Sequence, residues 1–168
     1  MMFRKFTNFY IMLLVGLIVI GVETFFISDP PSEEQQQKSE EIAMQKTPGY
    51  ETMSDVTQIA NMKLLEDAIL NIQVTPKDGK EDVLLQLQTT EFLTEDMLLK
   101  NTYNLLQDIR EIETIHTFTV AWFMLIKSEN TEILTLTFDR QALEQTATIS
   151  YDELPNITTD YIKHESLK

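Results

Sequence analysis

The stretch "IHTFTVAWFMLIKSENTEILTLTF", Ile115 to Phe138, decides the fold. In its first half Phe118, Val120, Trp122, Met124 and Ile126 recur at every second position, which puts them on one face of an extended strand. In its second half Leu134, Leu136 and Phe138 do the same. The polar residues Ser128 to Thr131 between them read as a turn, so the stretch predicts two antiparallel strands. The first strand is apolar on both phases near its end, where Phe123 and Leu125 oppose Trp122 and Met124. One face meets helices. The other calls for a second layer of this chain, a protein partner or a membrane surface, and Phe123 and Leu125 are the expected partner contact.

Working upstream, "TEDMLLKNTYNLLQDIREI" predicts the strongest helix. Thr94 is its N-cap, Glu95 and Asp96 suit its positive end, and Leu98, Thr102, Leu105, Ile109 and Ile112 form a stripe flanked by Leu99 and Leu106. Before it, "LNIQVT" and "VLLQLQT" alternate around "PKDGKED". That linker is a turn by its chemistry, with Pro76 presetting φ and Gly79 taking a positive one. An earlier helix starts at Ser54 as N-cap, with Val56, Ile59, Ala60, Leu64 and Ala68 on one stripe. The order helix, hairpin, helix, hairpin predicts an α+β domain over residues 54–155. Its sheet is small and antiparallel-dominated, built of two hairpins, with both amphipathic helices on one face. "DRQALEQ" adds a helical turn, "TATISY" a marginal fifth strand, and residues 156–168 a loose tail.

Further upstream, Phe9 to Ile27 reads "FYIMLLVGLIVIGVETFFI", with Glu23 as its one ionisable group. As a helix it spans about 28 Å, close to the roughly 30 Å hydrocarbon core. Phe9, Leu13, Ile18, Glu23 and Phe26 mark this expected anchor, and Glu23 lies within a turn of its end, where a carboxylate reaches toward the interface. Arg4 and Lys5 precede it and Asp29, Glu33 and Glu34 follow it, which places residues 1–8 in the cytoplasm and the rest outside. Residues 28–53, rich in Pro, Glu, Gln and Ser, read as an acidic flexible spacer. The alternative is a signal peptide cut near Gly21, since the run before Glu23 has signal-peptide length.

Charge and composition exclude other classes. The 168 residues carry a net charge of −14 and no cysteine. From Asp29 onward 26 acidic residues stand against 11 basic ones. Nucleic-acid phosphates and anionic headgroups repel such a domain. Without cysteine there are no disulfides, thiol nucleophiles or thiolate metal sites. His116 and His164 are the only histidines, and no G-x-S-x-G elbow accompanies them. "DGKED", Asp78 to Asp82, lacks the register of a calcium loop and reads as a polar turn. Glu95/Asp96 belong to a helix N-terminus and Asp152/Glu153 to a surface turn. Asn156-Ile-Thr158 fits the N-glycosylation acceptor pattern. The reading has no catalytic residue, cofactor or metal. It describes a single-pass, membrane-anchored extracytoplasmic module at the cell membrane that binds a protein partner, an accessory or assembly subunit of an envelope system. An exported enzyme or enzyme inhibitor is the alternative.

Overall fold

A computed structural model describes residues 47–64, 67–89 and 94–167. The expected anchor Phe9–Ile27, the cleavage region near Gly21 and spacer residues 28–46 lie outside them. Among the described residues no helix is long and apolar enough to cross a membrane.

The chain runs α1 (Tyr50–Lys63), β1 (Ile69–Lys77), β2 (Lys80–Thr89), α2 (Glu95–Ile109), β3 (Ile115–Ile126) and β4 (Glu129–Asp139). It continues with α3 (Arg140–Gln145), a 3-10 turn (Tyr151–Glu153), α4 (Leu154–Ile157) and β5 (Asp160–Lys163). The fold is α+β, and its five strands form one mixed sheet in the order β1-β2-β3-β4-β5.

The expected small, antiparallel-dominated sheet of two hairpins gives way to a five-stranded mixed sheet. β1 pairs antiparallel with β2, β3 with β4, and β4 with β5, but β2 and β3 run parallel along Glu81–Thr89 and Ile115–Met124. The cause is α2. A helix between two neighbouring strands carries the chain back to the start of the sheet, which is the crossover that parallel pairing requires. The fifth strand is also not "TATISY", whose residues form turns after α3. It is Asp160–Lys163, inside the segment read as a loose tail, where its four residues are too few for a period-two signal.

The core lies on one side of the sheet. Val83, Leu85, Leu87, Phe118, Val120, Trp122, Leu134, Leu136 and Phe138 are buried there. They share one cluster with Val56 and Ala60 of α1, Leu98, Leu105 and Ile109 of α2, Ala142 and Leu143 of α3, and Leu154 of α4. Thr102, in the middle of the α2 stripe, is buried because it accepts the Trp122 indole N–H at 2.9 Å. A buried indole needs such a partner.

α1 begins at Tyr50, four residues ahead of Ser54, with Gly49 as N-cap in the left-handed region (φ 84). The extra turn is fixed by tertiary contacts that a capping pattern does not report. Thr52 is buried, and its hydroxyl bonds Glu81 of β2 and, at 2.9 Å, the Thr114 hydroxyl.

Candidate binding surface

Among the described residues, the second side of the sheet carries no helix of the shared core. Alternation and register put Asn71, Gln73 and Thr75 of β1 there, then Leu84 and Gln86 of β2, Thr117, Thr119, Ala121, Phe123 and Leu125 of β3, and Thr135 and Thr137 of β4. The face is mainly hydroxyl and amide. Thr119 and Thr137 bond each other at 3.1 Å, and Asn71 donates to Gln86 at 3.2 Å. Its apolar end is the tip of β3. There Leu125 is 55% exposed and Phe123 half-buried, while Trp122 is only 2% exposed on the core side.

A bulge shapes this end. The β3–β4 register shifts between Trp122 and Phe123, so that Trp122 faces Leu134, Phe123 faces Glu132, and Ile133 is the extra residue. Ile133 and Leu134 are both buried, and the carboxylate of Glu132 accepts the Thr135 hydroxyl at 2.7 Å beside Phe123. A bulge adds twist and redirects the side chains beyond it. Past it, the turn Lys127–Ser128 has positive φ at both residues, 49 and 70, without a glycine. The turn therefore stands two residues earlier than the polar run Ser128–Thr131 suggests. Backbone twist selects a two-residue primed turn over a longer loop.

An acidic groove of about 700 Å³ lies between α1 and the α2–β3 loop, with Glu51, Asp55, Glu81, Asp108 and Glu113 among its lining. Its carboxylates are dispersed or engaged. Glu81 takes Thr52, and Asp108 pairs with Lys63 at 2.8 Å. Among the described residues no three His, Cys, Asp or Glu side chains are grouped to hold a metal ion.

A third cluster ties β5 to α2. Glu95, in the first turn of α2, accepts the Tyr161 hydroxyl and pairs with Lys163. The Lys163 bond, then the Tyr161 bond, hold the Glu95 carboxyl below its ordinary range. Burial, then the Glu95 carboxylate, push the Tyr161 hydroxyl well above its own. The sequence reading gave Glu95 only a helix-end role, because its partners lie 66 and 68 residues away.

The remaining sequence positions fall apart spatially. His116 is exposed at the start of β3. His164 follows β5, and its Nδ1 lies 2.7 Å from the Ser166 hydroxyl and accepts the Ser166 backbone N–H at 3.1 Å, a local turn. Asp78 and Gly79 form the β1–β2 turn with φ 51 and 78. Asp152 and Glu153 bond Ser150. Asn156 is exposed on α4. Comparison with known proteins returns no matching family model, no similar curated protein and no similar solved structure.

Proposed function

We propose that the chain is a membrane-anchored binding and assembly module. The segment Phe9–Ile27 holds it as a single-pass anchor with a cytoplasmic N-terminus, and the α+β domain engages a protein partner outside, as an accessory subunit of an envelope system. One observation supports the contact: Phe123 and Leu125 stand on the sheet face that the helical core leaves open. Such apolar side chains at a polar rim are what a partner buries in a contact centre.

The test separates core from contact. Trp122→Ala removes a buried indole and costs about 3–5 kcal/mol of folding stability. Phe123→Glu lowers the melt only by the repulsion from Glu132 across the strands, well short of Trp122→Ala, and weakens co-purification with the partner, because binding would bury a charge. A melt for Phe123→Glu as poor as that of Trp122→Ala removes the contact from consideration. The mass of the mature protein separates the anchored reading from the exported enzyme or inhibitor: an intact N-terminus fits the anchor, a start at Val22 the exported form.

A further inference from the structure

Among the described residues the sheet has two edges, and they differ. β5 is four residues long and carries Asp160 and Lys163, which blunts it in the ordinary way. β1 is nine residues long, and from Ile69 to Pro76 it has no charged residue, in a chain of net charge −14.

The backbone of β1 is specific about what it offers. Across the two-residue Asp78–Gly79 turn, Lys77 and Lys80 are the flanking bonded pair. Counting back, Thr75, Gln73 and Asn71 exchange bonds with β2, so the N–H and C=O groups of Ile72 and Val74 point to the free edge. Pro76 presents no N–H there, and the bulge at Leu70 ends the regular ladder on the other side. The open window is one short strand long. Leu70 is 40% exposed beside it.

A second copy does not fit this window. α1 lies over β1, so close that a Cβ on Gly49 would stand 2.7 Å from Val74 Cγ1. Joining two β1 edges at one strand spacing, about 5 Å, would crowd the two α1 helices that lie over them, since packed helices need roughly 8–10 Å. A strand that arrives without its own helix has room. By helical period Met53 and Thr57 lie on the flank of α1 opposite Asp55 and Ile59, which line the groove toward the α2–β3 loop. Met53 is 36% exposed on that flank, away from the groove.

We propose that the β1 edge accepts one extended segment of a protein partner as a sixth strand, bonded to Ile72 and Val74. The segment is acid-free and alternates apolar residues toward α1 with neutral polar residues beside Gln73. Basic residues at its ends suit the negative field of the domain.

The test uses the full chain in detergent micelles and a capped peptide, Lys-Thr-Val-Thr-Val-Thr-Lys. Saturating peptide should slow amide exchange at Ile72 and Val74 at least tenfold and leave β5 unchanged. The same peptide N-methylated at every internal residue, so that neither edge can donate, should do nothing. Val74→Pro removes the donor at the free edge and also trims a side chain packed beside Gly49, so it is read in a folded variant with unchanged β5 exchange, where the protection at Ile72 should be abolished. Unchanged exchange at millimolar peptide overturns the proposal, as does equal slowing by the N-methylated peptide. Should the two amides slow with protein concentration alone, the occupant is a second copy and the proposal fails.

Discussion

At the scale of single residues, the left-handed positions set a graded test. Gly49 and Gly79 both have positive φ, 84 and 78, but a Cβ at Gly79 would meet nothing within 4 Å while one at Gly49 would strike Val74. Gly79→Ala should therefore cost only the backbone term, about 1 kcal/mol, and Gly49→Ala distinctly more. Ser128 sits at φ 70 in the β3–β4 turn without that freedom. Ser128→Gly relieves the conformation and should raise stability by up to about 1 kcal/mol, read as a higher denaturant midpoint at unchanged slope. The Thr102–Trp122 bond makes a fourth case. Thr102→Val keeps the volume but strands a buried indole N–H, with an expected loss of about 1–3 kcal/mol. Thr102 also shows what a sequence can hide. Its place in an apolar stripe is legible, but the reason for a hydroxyl there is a strand 20 residues on.

At the scale of elements, period and capping located α2, β3 and β4 closely, because each buries one face and carries strong local signals. Thr94 caps α2, accepting from the Met97 backbone N–H at 3.4 Å, and Leu98, Thr102, Leu105 and Ile109 are all buried as the stripe requires. Pairing was less legible. Alternation says which residues share a face, not which strand lies next to which. The parallel β2–β3 junction had to come from the helix between them. β5 was illegible for another reason: it is held by Glu95, far away in sequence, more than by its own pattern. That anchorage has a pH signature. The Glu95 carboxyl is held below its unfolded value, so its contribution is present above roughly pH 4.3 and fades as pH falls through the folded value. Tyr161 has the opposite sign, held above its unfolded value of about 10, so its contribution is full below that pH and fades above it. Protection factors across β5, with the pH dependence of intrinsic amide exchange divided out, should accordingly be highest between these limits. Glu95→Gln should flatten the acid limb, and an acid limb that survives the substitution would assign it to other carboxylates.

At the scale of the whole molecule, the entry of the chain into the domain gives the prediction with most consequence for topology. If the spacer lies outside the cell, protease added to intact cells or spheroplasts reaches it without lysis. Where cutting stops depends on where order begins. The spacer was expected to run to Met53, but Gly49 packs on Val74, and Thr52 is buried with its hydroxyl bonded to Glu81 and Thr114. Removing Gly49 to Met53 would leave the Glu81 carboxylate and the Thr114 hydroxyl without that partner, and uncover Val74. The limit fragment released from intact cells should thus begin upstream of Gly49. A recombinant fragment 44–168 should melt cooperatively, at a higher midpoint than 54–168. A limit fragment starting at Ser54, or equal midpoints for the two fragments, would mean that the first turn of α1 adds nothing to the fold. Protection of the spacer until lysis would turn the whole chain around in the membrane and place the Phe123 face in the cytoplasm.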